Sequence, residues 1–229
     1  MVTDRFGSRR RVGIFGGTFD PIHLGHLRAA EETRESFRLD VVLFIPSATP
    51  PHREIHTVSP AEDRLEMVRR AVGDTPAFRP SDLECRRSGA SYSVETLRLL
   101  REEEGEEADF YFVLGQDAFA EIETWRRYEE LFELSHWVVL QRPGATAWGR
   151  GAIPGSVRSS FHYERSLGGY VHTSGHLLFF RRFRCLEISG TEIRHLVSRG
   201  RSIRYLVPPK VEEYIWQNRL YTASGGEVR

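Results

Sequence analysis

The side chains best suited to chemistry crowd into one short run, Gly16-Gly17-Thr18-Phe19-Asp20-Pro21-Ile22-His23-Leu24-Gly25-His26. Gly16 and Gly17 carry no Cβ, so backbone amides there can approach a polyphosphate closely. His23 and His26 stand three apart, so in the first turn of a helix both imidazoles face the same way. A helix starting here adds unpaired N–H groups and the positive end of its dipole. Gly25, between the histidines, keeps that surface open. Together these parts make a cradle for several negative charges. Taken singly, a glycine pair is most often a turn and two spaced histidines a polar helix face, so the weight rests on the combination.

A second cluster lies far along the chain, at Ile188-Ser189-Gly190-Thr191-Glu192-Ile193-Arg194. Ser189 and Thr191 offer hydroxyls and amides where a helix begins, and Arg194 projects from its first turn. That is a second anion site, suited to the far phosphates of a triphosphate. Without the first cluster, the same residues would read as a capped helix with a solvated arginine. Thr173-Ser174-Gly175-His176 repeats the spacing of Gly25-His26 but precedes a strand, so it is read as a loop. Phe179 to Arg184 interleaves aromatics with arginines, which can signal RNA binding. In a strand, that alternation gives one apolar and one solvated face.

The elements that must position these groups are legible from periodicity. Val12 to Phe15 is a strand entering the Gly16-Gly17 turn, and a helix follows over roughly 24–37. Val41 to Ile45 is a second strand, ended by Pro46 and a proline loop. Ser59-Pro60-Ala61-Glu62 predicts a capped helix start, and Ser189 to Glu192 another. Phe78 to Arg86 is a weaker strand, 93–104 a helix, Phe110 to Leu114 a strand breaking at Gly115. Two short helices lie within 118–134, followed by a strand at 137–140. Residues 177–188 are extended, and the last helix runs from about Pro208 to Tyr221. Alternating strands and helices without a repeat predict an α/β fold, a Rossmann-like doubly wound parallel sheet with helices on both faces. Ligands then bind beyond the carboxyl ends of the strands. Residues 1–10 read as a loose leader, 11–221 as a single domain with an irregular loop region at 143–175, and 222–229 as a disordered tail.

Composition narrows the classes further. In 229 residues, 32 basic groups balance 32 acidic ones, so no basic surplus favours a nucleic-acid or membrane coat. Only Lys210 is a lysine, leaving arginine to supply the cationic, two-pronged phosphate contacts. Cys85 and Cys185 lack metal-ligand spacing and read as reduced thiols. No apolar run reaches the length of a membrane helix, which favours a cytoplasmic protein.

The string from Gly16 to His26 resembles the nucleotidyltransferase superfamily, whose signature is (H/T)xGH after a glycine-rich first loop. Its longer form, GGTFDPxHxGH, is similar to that of bacterial-type nicotinate-nucleotide adenylyltransferases. Residues 188–194 resemble the family's ISxTxxR motif. Pro50-Pro51-His52-Arg53 resembles its PPH(K/R) loop, and Ser91-Tyr92-Ser93-Val94-Glu95-Thr96-Leu97 its SYTxxTL helix start. Leu114 to Trp125 resembles LGxDxxxxxxxW, and Val207 to Ile215 the closing VPxxVxxYI pattern. The likeness spans about 12–221. It departs at Ser93, at Gly190 and at Ser47-Ala48, where the family often has threonine, serine or alanine, and asparagine. Residues 143–175 resemble nothing known.

The resemblance implies adenylyl transfer from ATP to nicotinate mononucleotide, giving nicotinate adenine dinucleotide and pyrophosphate, a step of NAD biosynthesis. It implies His23, His26 and Arg194 as catalytic groups, the last on the departing pyrophosphate. Gly16, Gly17, Thr18, Phe19, Gly25, Gly115, Asp117, Ile188, Ser189 and Thr191 would bind ATP, with Asp117 on ribose. His52, Arg53, Tyr92, Ser93 and Trp125 would bind the mononucleotide. Mg²⁺ is expected to arrive with ATP, without a protein metal cage. Two alternatives remain: a related nucleotidyltransferase for nicotinamide mononucleotide, phosphopantetheine or a polyol phosphate, and a non-catalytic nucleotide sensor. Trp125 and the Tyr92-Ser93 turn argue against the sugar and thiol acceptors, which have no flat cation to stack. Intact His23, His26 and Arg194 argue against the sensor, which needs no transition-state groups.

Overall fold

Runs that are apolar on both sides, such as Val12 to Phe15 and Val41 to Ile45, are satisfied only between two covering layers. In the computed structural model, which describes residues 9–49, 58–87, 89–105, 107–141, 149–183 and 186–222, they lie at the centre of one sheet. Its strands are β1 (Arg10–Gly17), β2 (Val41–Pro46), β3 (Phe78–Pro80), β4 (Ala108–Gly115), β5 (His136–Gln141), β6 (Phe161–Glu164), β7 (Gly169–His172) and β8 (Leu177–Arg182). They are ordered β3-β2-β1-β4-β5-β8-β7-β6. Every pair from β3 through to β8 is parallel, and β7 and β6 close that edge as an antiparallel hairpin.

Helices α1 (Leu24–Phe37), α2 (Ala61–Val72), α6 (Gly190–Ser198) and α7 (Pro209–Gln217) cover one face of the sheet. The other is covered by α3 (Ser93–Glu104), α4 (Gln116–Ala120) and α5 (Tyr128–Leu134). Strand alternation sorts side chains between the layers: in β1, Phe15 joins the first core while Val12 and Ile14 join the second. Each fully buried Phe, Ile or Leu in these layers contributes about 2 kcal/mol.

Three expectations need correction. Residues 149–175 are not wholly irregular: two 3-10 turns lead into β6 and β7. Strands of four residues carrying His162, Tyr163 and Glu164 on an edge are too short and too polar to show periodicity. β8 does not divide into an apolar and a solvated face, because Leu177 to Phe180 are all buried. It lies between β5 and β7, with Phe179 in one core and Phe180 in the other. The last helix stops at Gln217 rather than Tyr221, which has a left-handed φ of 62°.

Both serine caps also differ from expectation. α2 begins after Pro60, and neither Pro60 nor Ser189 makes a side-chain capping bond. Ser59 serves elsewhere: its N–H donates to Asp20 at 3.4 Å and its carbonyl accepts from Arg64 at 2.8 Å.

Candidate active site

β1 is where the strand order reverses, since the chain runs from β1 to β2 and β3 on one side and resumes at β4 on the other. Connections leaving β1 and β4 in opposite directions open a crevice between their carboxyl ends. A cleft of about 1200 Å³ lies there, lined by the loop after β1, by Gly115, and by the first turns of α1, α3 and α6.

The two glycines of the loop answer different needs. A Cβ on Gly17 would meet the Phe19 ring at 3.1 Å, whereas one on Gly16 would have only Phe112 at 3.9 Å. Gly17 is therefore required by packing, and Gly16 leaves room in the cleft. Phe19 itself has φ 50°, a costly value for a bulky residue. Its ring is held 5.9 Å from Phe44 and edge-on to His26 at 5.1 Å, which fixes the turn.

His23 precedes α1 in an extended conformation, and its N–H donates to Nδ1 of His26 at 3.3 Å. With Nδ1 accepting, Nε2 is the nitrogen of His26 left to donate. The two rings stack at 3.6 Å with 22° between planes, and both line the cleft. A Cβ on Gly25 would lie 3.0 Å from the His23 ring and 3.1 Å from the Leu186 carbonyl. Close approach of these groups, more than an open surface, is what requires glycine there.

On the facing wall, Arg194 rises from α6. Nη1 donates to the Asp20 carbonyl at 2.6 Å and lies 3.8 Å from its carboxylate, while Nη2 donates to Thr191 Oγ1 at 3.2 Å. A Cβ on Gly190 would stand 3.0 Å from the same Asp20 carbonyl, which accounts for glycine at a position where the family has serine or alanine. The Asp20 carboxylate is buried and accepts from the Tyr221 hydroxyl at 2.7 Å. Burial, with that carboxylate beside it, pushes the Tyr221 phenol up.

At the other end, Trp125 packs edge-on against Phe112, with ring centroids 6.2 Å apart. Tyr92 precedes α3 in an extended conformation, Ser93 opens the helix, and all three line the cleft. Beneath them Glu84 is buried and accepts from the Thr96 hydroxyl at 2.6 Å. Burial pushes its carboxyl up. Arg64, buried in α2, donates to the carbonyls of Ser47 (2.6 Å), Thr18 (2.8 Å), Ser59 (2.8 Å) and Ala48 (3.1 Å). Burial lowers its guanidinium, and the nearby Asp20 charge opposes that. One cation thus ties the loop after β1 to the end of β2 and the start of α2.

The cleft gathers His23, His26, Arg194, Gly16, Gly17, Thr18, Phe19, Gly25, Gly115, Ile188, Ser189, Thr191, Tyr92, Ser93 and Trp125. Asp117 is not brought in: it is exposed on α4 while its neighbours Gly115 and Ala118 line the wall. A turn into helix right after Gly115 rotates the next side chains away. His52 and Arg53 lie outside the described residues. Asp20, Arg64, Glu84 and Tyr221 were not singled out from sequence. Arg64 had a local signal, since it stands four before Val68 on the buried face of α2.

Residues 14–196 match the family model described as cytidylyltransferase-like. The chain is 47% identical over 212 residues to the probable nicotinate-nucleotide adenylyltransferase of Syntrophotalea carbinolica, covering 92% of this chain and 97% of that one. It is 47% identical over 214 residues to the namesake from Geobacter metallireducens, covering 93% and 98%. The solved structure of Plasmodium falciparum nicotinic acid mononucleotide adenylyltransferase complexed with NaAD aligns with a TM-score of 0.70 at 17% identity, over 93% of this chain and 97% of that one. That likeness speaks to the fold alone. Matched over four-fifths of its length by the family model and at nearly half its positions by full-length relatives, the chain belongs to the cytidylyltransferase-like family and, within it, to the nicotinate-nucleotide adenylyltransferases.

Proposed function

We propose that this protein transfers the adenylyl group of ATP to nicotinate mononucleotide, forming nicotinate adenine dinucleotide and pyrophosphate. The observation that carries the reading is one cleft with phosphate-binding groups on facing walls, His23 and His26 against Arg194, and with Trp125 and the Tyr92-Ser93 turn at its far end.

In this reading, the triphosphate lies over Gly16 and the first turn of α1, where backbone amides, Thr18 and the helix dipole favour negative charge. The acceptor's phosphate oxygen attacks the α-phosphorus, and the bond to the bridging oxygen breaks with its electron pair leaving on pyrophosphate. That phosphate has a second pKa of about 6, so it is mostly deprotonated near neutrality and needs no general base. The barrier is charge repulsion, and the enzyme lowers it by positioning and electrostatics without a covalent intermediate. Nε2 of His26 donates to the α-phosphate, and His23 stacks against it and supports its neighbours. Three of the five guanidinium N–H groups of Arg194 are uncommitted to Asp20 or Thr191 and are available for the leaving pyrophosphate. Ser189, making no capping bond, keeps its hydroxyl for the same phosphates.

Trp125 stacks on the pyridinium ring, and the first-turn amides of α3 at Tyr92 and Ser93 receive the carboxylate. Gly115 and Ile188 border the adenosine, and Asp117 would reach ribose only from the rim. His52 and Arg53 remain assigned to the mononucleotide phosphate. Mg²⁺ would neutralise charge on the triphosphate. The ion is taken to arrive with the nucleotide, since Mg²⁺ is commonly held by substrate phosphates. The working unit is a single domain over 11–221. No helix among the described residues is long and apolar enough to cross a membrane, and the proposal assigns the enzyme to the cytoplasm with its ATP.

Incubation with ATP, Mg²⁺ and separate acceptors, followed by a pyrophosphate assay, tests the reading. Nicotinate mononucleotide is expected to give the fastest release. Faster release with phosphopantetheine or a polyol phosphate would reassign the acceptor, and ATP binding without release from any acceptor would make the protein a sensor.

A further inference from the structure

Three other parts of the chain converge on the Asp20 carboxyl and carbonyl groups. The loop after β1 contributes Asp20 itself, and the turn before α2 contributes the Ser59 N–H at 3.4 Å. From α6, Arg194 donates to the Asp20 carbonyl at 2.6 Å. The segment after α7 contributes the Tyr221 hydroxyl, 2.7 Å from Oδ1. Asp20 and Arg194 line the cleft, whereas Tyr221 does not, and its hydroxyl reaches the cleft wall through the Asp20 carboxylate.

We infer that Tyr221 is a positioning residue for adenylyl transfer: by anchoring the Asp20 carboxylate it holds Arg194 in the orientation that meets the departing pyrophosphate. The inference rests on the reading of Arg194 given above.

The geometry makes this more than a pin for the end of the chain. Asp20 is 5% exposed, so its charge is costly unless compensated, and Tyr221 at Oδ1 and Arg194 at 3.8 Å from Oδ2 compensate it. Arg194 has two of its donors committed, to Asp20 and Thr191, before any phosphate arrives, so its fork is already oriented. Gly190 permits that approach, since a Cβ there would stand 3.0 Å from the Asp20 carbonyl and 3.6 Å from Nη1 of Arg194. Tyr221 stays a donor throughout the working pH range, because burial and the carboxylate both oppose its ionisation. Losing its hydroxyl leaves Oδ1 short of a partner and frees Asp20 to take more of the guanidinium, at the expense of the phosphate.

A double-mutant cycle on the full chain tests this, using Tyr221→Phe, Arg194→Lys and the pair. Tyr221→Phe is expected to lower kcat about tenfold. Its KM for the mononucleotide stays within about twofold of wild type. In the Arg194→Lys background the same change is expected to cost no more than about twofold, because the group it positions is already gone. If the two losses multiply, Tyr221 acts independently of Arg194 and the inference falls. An impaired Arg194→Lys beside a Tyr221→Phe of wild-type rate overturns this inference alone. An Arg194→Lys of wild-type rate overturns the reading of Arg194 and this inference with it. Should Tyr221→Phe not fold, Asp20→Asn replaces it in the cycle, with the same expected non-additivity and the same overturning result.

Discussion

His26 is the residue whose role follows most directly from a single contact. Its Nδ1 accepts from the His23 N–H at 3.3 Å, which reserves Nε2 as a donor toward the cleft. A donor aimed at the reacting phosphate works mainly in the transition state, where it contributes about 3 kcal/mol. His26→Ala is therefore expected to lower kcat by about a hundredfold while changing either KM by less than about threefold. Steady-state kinetics with both substrates checks this, and a variant keeping a third of wild-type kcat would remove His26 from the chemistry. Much at this scale was legible in sequence, because the histidine spacing and the glycine pair are contiguous. The reason for Gly25 was not, since it lies in the Leu186 carbonyl, which packs there only in the folded chain.

Among the elements, α3 is the one to which the proposed function assigns the choice of acceptor. Nicotinate and nicotinamide mononucleotides share the cationic ring, so the proposed stacking on Trp125 would serve both. The first-turn amides after Tyr92 are donors only, lying at the positive end of a helix of twelve residues. They suit a carboxylate and leave an amide NH₂ without a partner, a mismatch of roughly 1–3 kcal/mol. The kcat/KM for the nicotinate form is accordingly expected to exceed that for the amide form by at least about tenfold. Trp125→Ala should weaken both acceptors and leave their ratio nearly unchanged. Equal values in the wild type would detach the carboxylate from α3. The helix start at Ser93 was visible from its motif. Its support was not: Glu84 under Thr96 lies in the stretch read as a weaker strand, but β3 ends at Pro80 and only burial marks the residue.

On the scale of the whole molecule, the end of the sheet away from the cleft holds a group of histidines with a different consequence. His136, at the start of β5, accepts from the Leu177 N–H at 3.0 Å, and its ring lies 5.1 Å from that of His176. Burial first, then His176 and Arg101, pulls its pKa down from 6.5 to about 3, and burial lowers His172 and His176 as well. The folded state thus binds fewer protons than the unfolded chain below about pH 6.5. Stability from this group is complete above that pH and is lost as pH falls toward 3. Between pH 6.5 and about pH 5, His136 alone removes about 2 kcal/mol. Glu84 runs the opposite way, its raised carboxyl costing stability as pH rises above 4.5, so the comparison must isolate the histidine. His136→Gln is expected to be less stable than wild type near pH 7.5, with the gap narrowing by about 2 kcal/mol near pH 5. Denaturant titrations at the two pH values measure it, and a constant gap would show that His136 is not held neutral by the fold.

Sequence by itself determined the order of strands and helices outside 143–175, the mostly parallel sheet with helices on both faces, and the two clusters at Gly16–His26 and 188–194 proposed to bind phosphate. These depend on neighbours within a few residues, through strand alternation, helical spacing and turn-forming glycines, and such patterns survive without knowledge of the fold. Tertiary structure decided what stands behind them. Asp20 and Arg194 are 174 positions apart and Asp20 and Tyr221 are 201 apart, so no local pattern links them. It also buried Arg64 against four carbonyls, left Asp117 on the rim, and closed the sheet edge with the β6–β7 hairpin. The physical reason is the same in each case. Burial and pairing of a polar group are set by which distant surfaces meet, and that is decided only when the two cores close over the sheet.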